Sequence, residues 1–284
     1  MPQFARTRIA PTPSGYLHLG NVLSFAITAA LAKQSGARIL LRIDDLDSAR
    51  VKREYVEDIF ETLKYLDIPW DEGPRDYGDY KEVYSQVHRM ELYRAGLQQL
   101  HDRDLVFACD CSRTTLLRNS EGIYTGTCVH RGLPLDAEGY NWRLDTSDVD
   151  LPQNMQYFVV RKKDGFPAYQ LTSLIDDMHF GVDLVVRGED LWASTLAQSH
   201  LAQLLGYRSF LDTTFLHHVL LKTDDDKKLA KSAGATSINH LRKQGQTKAD
   251  IYRTVGQLVG SPDPISCWEE LTPLVPIFIL PVLP

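Results

Sequence analysis

The chain has 284 residues, of which 43% are hydrophobic, 10% aromatic and 24% charged. That is the mix of a globular protein, not of a disordered tail, a collagen-like fibre or a coiled coil, and the length allows one elaborate domain or two. The net charge of −6 excludes a uniformly cationic surface, so a nucleic-acid partner must be met by a local basic patch.

No stretch reaches the ~20 apolar residues of a membrane span, and Met1 to Arg8 lacks the apolar core of a signal peptide. The expectation is a soluble, cytoplasmic monomer with no membrane partner. Leu271 to Pro284, with prolines at 273, 276, 281 and 284, reads as an extended tail packed on the surface or as an end cut short.

In chain order, a strand near Thr7–Ala10 runs through the loop Pro11–Gly15 into a helix over about Leu19–Gln34, with Gly36 as its C-cap. That helix is apolar almost all round and is expected to be buried. Arg38–Ile43 reads as a buried strand, and helices follow over about Glu54–Leu66 and Lys81–Arg103. From Phe107 to about Gly165, Gly, Pro, Cys and short β-like pieces (Tyr140–Leu144, Gln156–Lys162) replace this rhythm, as an inserted subdomain would. Strand Val182–Arg187, helix Leu191–Leu205 and strand Phe215–Leu221 restore it. A polar loop, Lys222–Ala235, leads to helices Ser237–Gln244 and Lys248–Val259. The alternation predicts βαβ units and a parallel sheet.

Two segments carry chemistry. In Pro11-Thr-Pro-Ser-Gly-Tyr-Leu-His-Leu-Gly-Asn21 a strand passes through a Gly-containing loop into a helix, which aims backbone N–H groups and a positive helix end at one spot suited to phosphate. Ser14, Gly15, His18, Gly20 and Asn21 are the candidate nucleotide contacts, with His18 placed to donate to an oxyanion. The same run equally reads as an ordinary βα loop with Ser14 as helix cap, because neither G-x-G-x-x-G nor a P-loop Lys is present. Lys227-Lys-Leu-Ala-Lys-Ser-Ala-Gly234 suits a closing cationic flap over a triphosphate, or a solvated charge run beside Asp224–Asp226.

Taken together these segments resemble the two signatures of class I aminoacyl-tRNA synthetases: HLGN (18–21) and KLAKS (228–232). RIAPTPSGYLHLGN (8–21), RIDDLD (42–47), YQL (169–171) and VVRGEDL (185–191) are similar to the glutamyl branch, in the same order over Arg8–Ser232. The residues after Ser232 are too few for an anticodon-binding domain, and with the cysteine cluster this resembles the glutamyl-Q tRNA(Asp) synthetase family. The resemblance implies an α/β fold, a Rossmann-like parallel sheet with an inserted zinc-binding subdomain and a short C-terminal helical region. The expected segments are 1–106, 107–165, 166–235 and 236–284.

By the same resemblance Arg8, Ile9, Ala10, Pro11, Thr12, Asp44, Tyr169 and Arg187 bind glutamate, and His18, Lys228 and Lys231 act on the phosphates of ATP with its Mg²⁺. The residues agree: an amino acid with two carboxylates needs an Arg fork and an acid for its ammonium, and Arg8, Arg187 and Asp44 fall at predicted strand ends, where ligands of a parallel sheet gather. The family usually has Glu in place of Asp44, and Ser in place of Ala230. Asp45 and Asp47 read as capping residues.

Cys109, Cys111 and Cys128 suit zinc, or are reduced cysteines with no metal, since three close Cys make only a partial signature. Chemistry alone favours His130 as fourth ligand, whereas the family pattern places Tyr124 there; Cys267 reads as a buried small hydrophobe. The implied partner is queuosine-bearing tRNA(Asp), with the lysines of 222–231 and Arg113, Arg118 and Arg131 as RNA contacts. A truncated synthetase charging the 3′ end and a non-catalytic paralogue are the alternatives, the second disfavoured by the presence of His18, Lys228 and Lys231.

Overall fold

The computed structural model describes residues 3–112, 114, 123–221 and 237–274. In chain order the strands are β1 Arg6–Ile9, β2 Arg38–Leu41, β3 Val106–Cys109, β4 Asn141–Leu144, β5 Val159–Arg161, β6 Leu184–Gly188 and β7 Thr214–His218. The helices are α1 Leu19–Ser35, α2 Arg53–Tyr65, α3 Met90–His101, α4 Tyr169–His179, α5 Trp192–Leu205, α6 Arg208–Leu211, α7 Ile238–Lys243 and α8 Lys248–Leu258. Among the described residues no helix is long and apolar enough to cross a membrane. The chain divides into two compact units, the first comprising Met1–His88, Val182–Asp190 and Thr213–Pro284, the second Arg89–Gly181 and Leu191–Asp212.

The first unit is built on a parallel sheet in the order β2-β1-β6-β7. Side chains alternate across a strand, and Ile9, Leu41, Leu184 and Val186 pack with Val22, Leu23, Ala26, Ile27 and Ala30 of α1 in one core. Ala-rich α1 is buried along most of its length and ends at Gly36, whose left-handed φ of 77° closes the C-cap. Each fully buried Leu or Ile contributes roughly 1.5–3 kcal/mol, so this helix anchors the unit.

Three expectations fail. The continuous helix foreseen over 81–103 is broken: a π-turn at Tyr80–Tyr84 stops at extended Ser85, a 3-10 turn spans Gln86–Arg89, and α3 begins only at Met90. The cause is Asp45, whose buried carboxylate accepts from Tyr80 Oη (2.6 Å), Ser85 Oγ (2.5 Å) and Gln86 N (2.9 Å) and draws a backbone N–H out of the helical ladder. The tail expected from Leu271 is instead a 3-10 turn over Trp268–Leu274, with Leu271 fully buried in the core beside Trp268; residues 275–284 lie outside the described residues. Cys267 is half-buried, not buried.

The second unit combines an antiparallel sheet in the order β3-β4-β5 with α3 to α6. The short β pieces of the expected insert become β4 and β5. α4 had no sequence prediction. It packs close to α3 at Gly96, where a Cβ would sit 2.8 Å from Ile175 Cδ1. Asp176 of α4, fully buried, accepts from Arg89 Nε (2.7 Å), Arg89 Nη2 (3.1 Å) and Tyr93 Oη (2.7 Å).

Candidate active site and metal centre

The carboxyl ends of β1, β2, β6 and β7 form one edge of the first unit's sheet, the edge at which parallel sheets bind ligands. Backbone pairing continues past β2, with Arg42 N donating to Ile9 O (2.9 Å) and Asp44 N to Pro11 O (3.0 Å). The motif loop is therefore strapped to the segment carrying Asp44.

α1 opens at His18, not at Ser14. The imidazole Nδ1 accepts from Gly20 N (3.1 Å), while Asn21 Oδ1 accepts from His18 N (3.0 Å), closing a capping box. Because Nδ1 accepts, the neutral ring carries its proton on Nε2. A Cβ at residue 20 would meet His18 Cε1 at 3.0 Å and Nδ1 at 3.1 Å, so a larger residue there would crowd the capping ring. Among the described residues no neighbour imposes glycine at 15, where a Cβ would meet nothing within 4 Å. The first turn of α1 itself carries no acidic residue.

His18 also forms an isolated antiparallel bridge with Ser237, and Ile238 N donates to Leu17 O (2.7 Å). Asp58 of α2, 2% exposed, supports this junction by accepting from Leu17 N (3.2 Å) and Asn239 Nδ2 (3.3 Å). Burial raises its pKa, and those hydrogen bonds together with the Arg242 charge oppose the rise. Sequence reasoning missed Asp58, because a single Asp on an amphipathic helix gives no signal. Lys228 and Lys231 lie outside the described residues, as do Arg113 and Arg118.

Arg8 and Arg187 are both buried. Thr7 pairs with Leu184, so Arg8 and Arg187 lie on the sheet face opposite that pair. Arg8 Nη1 donates to Val186 O (3.1 Å), and the Arg187 guanidinium lies 4.9 Å from the centre of the Phe215 ring. His217 stands beside Arg187 in the β6–β7 register. Burial, then the Arg187 charge, pushes its pKa down to about 4, so it is neutral near pH 7. It too gave no sequence signal.

Asp44 is gripped by Arg42 through two bonds, Nε to Oδ1 at 2.7 Å and Nη2 to Oδ2 at 3.1 Å. Asp45 clasps the 80–86 segment and Asp47 pairs with Arg50 at 3.2 Å, a tertiary contact and an ion pair where capping was expected. Thr12 is exposed and Ala10 half-buried in the motif loop. Tyr169 is the first residue of α4 in the second unit and is 41% exposed.

The second unit also holds the thiol cluster. The sulfurs of Cys109, Cys111 and Cys128 lie within 4.8 Å of one another, with Cys111 and Cys128 at 3.6 Å. The Tyr124 hydroxyl accepts from Cys128 N at 2.7 Å. Exposed His130 is not part of the cluster. Three converging sulfurs with a phenol oxygen beside them are a donor set that fits a tetrahedral divalent ion. Arg131, foreseen as an RNA contact, donates to Asp110 Oδ1 (2.7 Å) and Cys128 Sγ (3.4 Å).

Residues 5–132 and 146–266 match the model of the tRNA synthetases class I (E and Q) catalytic domain. The chain belongs to that family. It is therefore a ligase of the aminoacyl-tRNA synthetase type. The chain is 34% identical to the glutamyl-Q tRNA(Asp) synthetase of Symbiobacterium thermophilum, covering 98% of this chain and 93% of the relative. It is 36% identical to the protein of the same name from Synechococcus sp. strain CC9605, covering 94% and 88%. A glutamate–tRNA ligase of Dehalococcoides mccartyi strain BAV1 is 33% identical over 86% of this chain, which spans only 54% of that protein. The crystal structure of the glutamate-tRNA synthetase from Elizabethkingia anophelis shares the fold, with a TM-score of 0.75 at 23% identity over 94% of this chain and 65% of that one.

Proposed function

We propose that the chain condenses glutamate with ATP to glutamyl adenylate and transfers the glutamyl group to queuosine at the wobble position of tRNA(Asp). What supports the reading is the pairing of two features on one sheet edge: a His-capped helix N-terminus whose own first turn carries no acid, and two buried arginines at the ends of β1 and β6. The relatives that match nearly full length carry the name glutamyl-Q tRNA(Asp) synthetase, which supports the amino acid and the acceptor.

In the first step an α-carboxylate oxygen of glutamate attacks the α-phosphorus of ATP and pyrophosphate leaves. The protein's part is positioning and charge neutralisation. Arg8 and Arg187 take the carboxylates, Asp44 the ammonium, and the Ile9–Thr12 backbone lines the amino acid; the family motif adds Tyr169. His18 Nε2–H donates to a phosphate oxygen, Ser14, Gly15, Gly20 and Asn21 border the nucleotide, and Mg²⁺ accompanies ATP. Lys228 and Lys231 neutralise the phosphates, and Ser237, six residues past Lys231 in the sequence, is the residue bridged to His18. In the second step a hydroxyl of the queuosine cyclopentene ring attacks the glutamyl carbonyl carbon and AMP leaves. Zn²⁺ held by Cys109, Cys111, Cys128 and Tyr124 supplies a structural cross-link, pinning a segment with a small core of its own.

The test offers labelled glutamate and ATP with queuosine-bearing tRNA(Asp), unmodified tRNA(Asp) and tRNA(Glu). Label on the first alone is expected. Label on tRNA(Glu) alone overturns the acceptor in favour of a 3′-end synthetase.

A further inference from the structure

Arg143 of β4 is a buried cation whose surroundings differ from those of the buried arginines Arg42 and Arg89. Those two each grip a carboxylate, Asp44 and Asp176. Arg143, 7% exposed, donates from Nε to Cys109 Sγ (3.2 Å) and from Nη1 to Tyr157 O (2.8 Å), and its guanidinium lies 3.9 Å from the centre of the Tyr124 ring. Among the described residues no carboxylate pairs with it. A buried charge without a countercharge costs several kcal/mol, and the described groups beside Arg143 that can carry negative charge are those of the sulfur cluster.

We propose that Arg143 is the built-in countercharge of the metal centre and the positioning residue for Tyr124, an inference that rests on the metal reading above. Three thiolates around one divalent ion leave a single net negative charge, and one guanidinium cancels it. The neighbouring Arg131–Asp110 pair (2.7 Å) is already balanced. Arg143 thus stabilises the thiolate form that metal binding needs. It also holds the phenol ring from the face by a cation–π contact, orienting the hydroxyl that lies against Cys128. Outer groups of this kind are typically worth about 10–100-fold in metal affinity.

The test is Zn²⁺ affinity of the full chain by chelator competition, for wild type, R143Q and R143K, with the sulfur-to-metal absorption of the Co²⁺ form as second readout. R143Q is expected to bind Zn²⁺ about tenfold or more weaker, with R143K between it and wild type and a shifted Co²⁺ band in R143Q. A smaller loss in R143Q overturns the proposal alone and leaves the metal centre standing. Should R143Q not fold, R143K decides: a loss under about tenfold supports the charge role, and a larger one overturns it. A wild type that takes up no metal overturns the centre and the proposal together.

Discussion

Ser237 pairs in an antiparallel bridge with His18, the residue that caps α1. Leu17–His18 and Ser237–Asn239, more than two hundred residues apart in the sequence, are thereby joined at one helix end, with Asp58 bonded to both sides of the junction. His18 caps α1, and the proposed reaction uses its other face: the ring nitrogen that accepts from Gly20 leaves the proton on the other.

The two roles of His18 separate by substitution. H18N keeps a good N-cap and removes the imidazole, so stability should hold while glutamate-dependent pyrophosphate exchange falls by about 10²-fold. H18A should lose the same activity and about 1 kcal/mol of stability as well. Thermal melts beside exchange rates check this; an H18N enzyme as fast as wild type contradicts it.

In the second unit, Asp176 should be the most sensitive buried acid. D176A strands the Arg89 guanidinium and one Tyr93 hydroxyl, at a cost of about 3–5 kcal/mol. The double variant R89M/D176L, which removes both charges, should lose markedly less. Urea unfolding of the three proteins measures this, and equal losses in single and double variants would refute the pairing.

Stability should fall on mild acidification through His217. Its folded pKa of about 4 lies below the ordinary value of 6.5, so between those pH values the unfolded chain binds a proton that the folded chain does not. The contribution is complete above pH 6.5 and is lost as pH falls toward 4, in total on the order of 3 kcal/mol. Burial lowers His218 as well, so H217Q should flatten the acid side of the stability profile without levelling it. Urea midpoints from pH 7 to 4.5 that fall as steeply in H217Q as in wild type would contradict this.

C109S should abolish stoichiometric zinc and lower the melting temperature, and a chelator should lower that of wild type toward the C109S value. Elemental analysis with melts decides; a wild type unaffected by chelator argues against a structural ion.

Much of this was legible in the residues. The βαβ rhythm marked the parallel sheet, and the apolar run 19–34 marked α1, because these elements are fixed by local periodicity. The break at Ser85 was not legible, since it depends on the Asp45 carboxylate forty residues earlier. Nor was α4 at Tyr169–His179, whose buried polar residues Gln170, Thr172, Ser173, Asp176 and Asp177 blur an apolar stripe. At the site, Arg8, His18, Asp44 and Arg187 were marked by motif, whereas Asp58 and His217 act through tertiary contacts that spacing does not encode. Asp44 was marked as an acid, but its Arg42 clamp was not.

Exchange of labelled pyrophosphate into ATP by the full chain, with and without glutamate, tests the proposed adenylation itself. Exchange is expected to require glutamate and to fall by at least about 10²-fold in K231A. Wild-type enzyme that shows no glutamate-dependent exchange would contradict it.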